Sequence, residues 1–178
     1  MFNAQPTHLH NEYVQLSPLQ SDDFEALYNV ASDPLVWEQH PSKNRYQKDA
    51  FKGFFEGAIA SKGAFLIKNA ATNEVIGSSR FYDINENDKT VLIGYTFFAR
   101  AAWGKPYNKS AKILMLNHAF TYFDTVLFHI GAENVRSQIA ISRFGAQKIG
   151  EEDVAYHGEK SNPNFVYAIR KEDWAFKL

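Results

Sequence analysis

The chain has 178 residues, 45% hydrophobic and 22% charged, enough apolar material for one domain with a sizeable core. Its formal net charge of −1 gives no electrostatic reason to expect nucleic acid or an anionic membrane as a partner. There is no cysteine, so disulfides, thiolate metal sites and a cysteine nucleophile are excluded, which fits a cytoplasmic protein.

The opening MFNAQPTHLHNEYVQL has neither the basic flank nor the apolar run of a signal peptide. No window reaches the roughly 20 apolar residues of a membrane span. The alternation in EYVQLSPL predicts a strand that Pro18 ends. A helix follows, with Ser21 as N-cap and Phe24, Leu27 and Tyr28 on its apolar side. DPLVWEQHPSKNRY has no clean period and reads as a loop. Residues 47–61 carry Phe51, Phe54, Phe55, Ala58 and Ile59 at helical spacing.

AFLIKNAATNEVIGSSRFYDI is two short runs around a polar centre, a hairpin. VLIGYTFF is a strongly apolar strand. Residues 108–123 return to helical spacing through Ile113, Leu116, Phe120 and Phe123. TVLFHIG reads as a buried strand, NVRSQIAISRF as a helix ended by Gly145, and FVYAIRK as the last strand. The order is β-α-α-β-β-β-α-β-α-β-β: one α+β domain over residues 1–178, its seven-stranded sheet mixed but mostly antiparallel. The fourth and fifth strands are joined by a parallel crossover.

Two segments carry the candidate chemistry. In FFARAAWGKPYNKSAKILM a strand passes through a glycine turn into a helix, aiming backbone N–H groups and the positive helix end at one point. Gly104 allows close approach, Asn108 can cap the helix, and Lys105 and Lys109 add charge. An ordinary strand-to-helix turn explains the same local pattern. The second segment, GAENVRSQIAISRFGAQKIG, places Asn134 at a helix start and Ser137 one turn on. Taken singly, these are an N-cap and a solvated helix residue.

Together the segments resemble the GNAT superfamily of acyl-CoA-dependent N-acetyltransferases, in the branch that contains the ribosomal-protein N-terminal acetyltransferases. IGYTFFARAAWGKPYNKSAKILMLNHAF is similar to its acetyl-CoA motif, and NVRSQIAISRFGAQKIGE to the helix and strand that follow. The opening YVQLSPLQSDDFEALYNVASDP shares that likeness. The resemblance implies acetyl transfer from acetyl-CoA to a primary amine of a small molecule or a protein N-terminus, by direct attack in a ternary complex. A monomer or homodimer is expected, and no metal, since His8 and His10 without further ligands are a weak pair. The fourth and fifth strands would splay to admit the pantetheine arm, bonded by backbone near Phe97 and Phe98 and by Asn134. The turn formed by Trp103, Gly104, Lys105, Tyr107, Asn108 and Lys109 would hold the pyrophosphate.

This sequence departs from the superfamily pattern at several positions. Pro106 stands where a second glycine is usual and has no N–H to donate. Leu92 replaces a frequent carboxylate base, and Ile141 a frequent tyrosine acid. Both changes would suit a CoA-binding module that has lost turnover. Ser137 is then the remaining acid candidate, and His40, in the VWEQHP loop, the preferred base. His118 and His129 read more naturally as packed residues. Trp37 and Tyr82 are expected to line the acceptor site.

Overall fold

The computed structural model describes residues 1–155 and 161–175. The strands are β1 (Val14–Pro18), β2 (Ala64–Asn69), β3 (Val75–Asn85), β4 (Thr90–Phe98), β5 (Thr125–Gly131), β6 (Gln147–Ala155) and β7 (Ser161–Arg170). They form one sheet in the order β1-β2-β3-β4-β5-β7-β6. Among the described residues only the β4–β5 pair is parallel. A parallel pair needs a long crossover, which α3 (Tyr107–Ala119) supplies. Element order, fold class and the one parallel pair are as the sequence predicts.

Strand periodicity divides the core into two layers. Phe65, Ile67, Val91, Ile93, Val126 and Phe128 face α3 and α4 (Val135–Ser142). Ala64, Leu66 and Phe97 face α1 (Phe24–Ala31) and α2 (Lys48–Ala60). The second layer accounts for much of the aromatic content: Phe51 is fully buried and stacks on Phe54 at 5.5 Å between ring centroids. Truncating such a ring to alanine costs about 3–5 kcal/mol.

Two helix starts differ from expectation. Ser21 is not the cap. It lies in a single 3-10 turn preceding α1, and Asp23 Oδ2 accepts from the Gln20 N–H at 2.8 Å at the head of that turn. The third helix starts at Tyr107 with Pro106 as its cap and ends at Ala119. Phe120 and Phe123 lie beyond its end yet stay buried, because the apolar period runs on into the following turn.

Candidate active site

The site begins where β4 leaves the sheet. Gly104 has φ +73°, a conformation that costs an L side chain strain, and no atom lies within 4 Å of a Cβ built there. The surface at this turn is therefore open. Trp103 fixes it from one side, its Nε1 donating to Phe98 O at 3.0 Å. Tyr107 fixes it from the other, its hydroxyl accepting from Asn69 Nδ2 at 3.1 Å. Residues 107–109 precede the first intrahelical hydrogen bond of α3, from Ser110 N to Pro106 O at 2.8 Å. Their amides and the helix dipole point into the turn. Asn108 does not cap the helix, since Pro106 holds that place. It sits in the first turn with its Oδ1 buried and without a hydrogen-bond partner. A buried polar atom of that kind fits a site built for a polar ligand.

Along the sheet, β4 and β5 pair only from Thr90–Thr125 to Leu92–Leu127. Beyond Leu127, β5 continues with β7 as far as Gly131. β4 instead bulges: its register with β3 shifts between the Ser78–Phe97 and Arg80–Gly94 pairs, and Tyr95 takes φ +52°. The two strands therefore splay, leaving the β5-facing edge of β4 open past Leu92. Phe97 and Phe98 are core side chains, each 6% exposed, so only their backbone can face a ligand. The Phe98 carbonyl is already engaged by Trp103, which moves the expected backbone contacts toward the bulge.

On the α1–α2 face of this opening, Tyr82 lies over the bulge. A Cβ on Gly94 would come within 2.9 Å of its ring, so close approach explains that glycine. Tyr82 stacks edge-on with Tyr95 at 5.0 Å and lies 6.4 Å from His129. His129, one residue past Phe128 on β5, has Nε2 at 3.6 Å from Glu152 Oε2. Its Nδ1 is buried without a partner. Burial holds its pKa below the ordinary value, opposed by Glu152 and Asp83, so the imidazole is neutral at pH 7.

Behind this surface lies a cationic, aromatic wall. The Arg80 guanidinium sits 3.9 Å from the Tyr95 ring centroid and donates to Gly57 O at 3.3 Å. Arg45 lies 4.7 Å from the Phe54 centroid. Trp37 does not line an open pocket. It is 2% exposed, packs on Phe97 at 4.9 Å and donates from Nε1 to Ala31 O at 2.7 Å. His40 is likewise enclosed: Nδ1 accepts from Ser42 N at 2.9 Å, and Nε2 faces Arg45 Nη1 at 3.3 Å. Burial and Arg45 hold its pKa well below the usual value. A ring engaged at both nitrogens and so weakly basic is poorly suited to take a proton. His118 is tied to the N-terminal segment, its Nε2 lying 2.7 Å from Asn3 O.

The α3–α4 face carries a group that the sequence reading missed. Lys112, on α3, is 7% exposed and reaches Thr96 Oγ1 at 2.7 Å. Asn134 caps α4, its Oδ1 accepting from Ser137 N at 3.1 Å. Ser137 is half-buried in the first turn of that helix. Leu92 and Ile141 are 6% and 4% exposed and pack as apolar core, leaving no carboxylate or phenol at those positions. Arg136 ties the sides together: its guanidinium lies 4.0 Å from the Trp103 ring centroid and 3.5 Å from Glu38 Oε1.

A sheet that opens between two parallel strands, beside a helix N-terminus at a glycine turn, defines the fold of acyl-CoA N-acyltransferases. The chain belongs to the GNAT acetyltransferase domain family, whose model matches residues 14–147. Solved structures share the fold. A GCN5-related N-acetyltransferase from Brucella melitensis is similar with a TM-score of 0.81 at 18% identity, over 97% of this chain and 85% of that one. Mycobacterium smegmatis RimJ in complex with CoA-disulfide matches with 0.69 at 18% identity, over 90% and 83% of the two chains. Spermidine N-acetyltransferase from Vibrio cholerae in complex with CoA and spermine matches with 0.69 at 15% identity, over 92% and 98%. No curated protein matches the chain. Among the described residues no group of three histidine, aspartate or glutamate side chains could hold a metal, and no helix is long and apolar enough to cross a membrane.

Proposed function

We infer that the domain transfers an acetyl group from acetyl-CoA to a primary amine, on a small molecule or a peptide N-terminus, by direct attack in a ternary complex. The observation that carries this reading is the early parting of β4 from β5 next to the Gly104 turn. On this reading the backbone around Gly104, Lys105, Tyr107, Asn108 and Lys109 holds the pyrophosphate, with Trp103 shaping the turn. The pantetheine arm lies along the open edge of β4, and the free side-chain nitrogen of Asn134 donates to it from the α4 side.

The amine enters from the Tyr82 face. Its nitrogen attacks the thioester carbon, and the amide groups exposed at the β4 bulge stabilise the oxyanion. His129, neutral and with Nδ1 unpartnered, takes the surplus proton in place of His40. Ser137 donates a hydrogen bond to the departing sulfur. The Trp-Gly-Lys-Pro-Tyr-Asn turn resembles the form found in the branch that contains the ribosomal-protein N-terminal acetyltransferases, which puts peptide N-termini first among the amines to test. The test is release of free CoA thiol from acetyl-CoA with a panel of peptides, polyamines, amino acids and amino sugars. Release that is amine-dependent supports the reading; release at the no-amine background with every acceptor refutes it.

A further inference from the structure

Lysine is rarely buried without a carboxylate partner. Lys112 is 7% exposed, and the groups around it are hydroxyls and a ring. Its Nζ lies 2.7 Å from Thr96 Oγ1 on β4 and 3.5 Å from Ser79 Oγ on β3, and those two oxygens are 2.7 Å apart. From β5, the Phe128 ring centroid lies 5.8 Å away. Among the described residues no carboxylate or second cation acts on this amine: burial alone holds its pKa at about 7.

These contacts locate the amine. The last paired residues of β4 and β5 are Leu92 and Leu127; Phe128 is the next residue on β5, and Thr96 belongs to the β4 bulge. The Lys112 amine therefore sits where the strands begin to part, on the α3–α4 face, while His129 and Tyr82 occupy the opposite face. Packing does not account for it, because methionine would fill the same space without desolvating a charge. A desolvated cation aimed at an opening suits a ligand that becomes negative there.

We propose that Lys112 is the cation that receives the CoA thiolate as the acyl group leaves. The proposal rests on the acyl-CoA reading above. The amine nitrogen forms a bond to the carbonyl carbon, and the carbon–sulfur bond breaks with its electron pair kept by sulfur. The sulfur is then a thiolate paired with the Lys112 ammonium, and the surplus proton on nitrogen passes to His129. The thiolate takes up a proton when CoA is released to solvent. An amine titrating near neutrality is half charged in the free protein, and the arriving anion completes its protonation. Thr96 and Ser79 hold the amine in place and leave it a hydrogen for sulfur. With Ile141 in place of a phenol, this face has in Lys112 a charge that Ser137 lacks.

The test needs no acceptor. The thiol of CoA bound to the wild-type domain is titrated by its ultraviolet thiolate absorbance, and the affinity for CoA is compared with that for desulfo-CoA. In the wild type the bound thiol should titrate about one unit or more below free CoA. Lys112→Met should abolish that shift and weaken CoA binding roughly tenfold to a hundredfold, while desulfo-CoA binds as before. Thr96→Val should give a smaller change in the same direction, and serves if the methionine variant fails to fold. A bound thiol that titrates as it does free in solution, or equally in wild type and variants, overturns the proposal. Absence of CoA binding to the wild type overturns the acyl-CoA reading itself.

Discussion

Replacing Lys112 by methionine should stabilise the protein at neutral pH, and the gain should shrink as pH rises. The Lys112 amine falls from an ordinary pKa of 10.5 to about 7 through burial, so the fold disfavours its charged form. Between these values the unfolded chain holds a proton that the folded chain does not, and native stability rises with pH. A displacement of that size corresponds to about 5 kcal/mol at 1.36 kcal/mol per unit, of which about 4 kcal/mol is felt at pH 7. Methionine removes the charge at nearly constant volume, a change that otherwise costs under about 1.5 kcal/mol. Urea unfolding of wild type and Lys112→Met at about pH 7 and about pH 9.5 isolates the effect from other titrating groups. The stability gap should narrow by about 3 kcal/mol across that range. A gap that stays constant would mean that Lys112 titrates normally, and the burial argument would fail.

Other perturbations separate binding from chemistry. Asn134→Ala removes the α4 cap and should cost about 0.5–2 kcal/mol in stability, while acetyl-CoA affinity measured by calorimetry falls by more than that loss explains; normal affinity in the folded variant leaves Asn134 as a cap only. Ser137→Ala should lower kcat about tenfold with acetyl-CoA affinity retained, and a wild-type kcat removes it from the mechanism. Because burial holds the His129 pKa below 6.5, the rate should rise as pH increases through that lowered value; His129→Gln should erase this limb, and its persistence assigns the limb elsewhere. Gly104→Ala forces an L residue to φ +73° at the turn and should weaken CoA binding with little loss of secondary structure by circular dichroism.

The element order was legible because strand and helix periods are strong here. The Phe51, Phe54, Phe55, Ala58 spacing has one folded solution, and the VLIGYTFF and TVLFHIG runs suit strands covered on both faces. Helix starts were less legible. Asn108 and Ser21 have capping side chains, but Pro106 holds the first position and the Gln20 N–H bonded to the Asp23 carboxylate the second. The open Gly104 turn and the Asn134 cap could be found because both are features of local backbone. Lys112 could not be found from charge alone, since a lysine on a helix is normally solvated. The available signal was its place four residues after Asn108 and four before Leu116, inside the buried arc of α3. The settings of His129 and His40 differ in legibility for a similar reason. Strand parity puts His129 opposite Phe128 at the opening, whereas the burial of His40 against Arg45 depends on a loop without a period.

Amine acetylation at the opening between β4 and β5 can be read by incubating the protein with acetyl-CoA and a pool of peptide N-termini, polyamines, amino acids and amino sugars, and identifying the products by mass spectrometry. At least one N-acetylated amine should form, in proportion to free CoA thiol, and its yield should fall when His129→Gln replaces the wild type. A protein that binds CoA yet acetylates no member of the pool above the protein-free control would contradict amine acetylation at this opening.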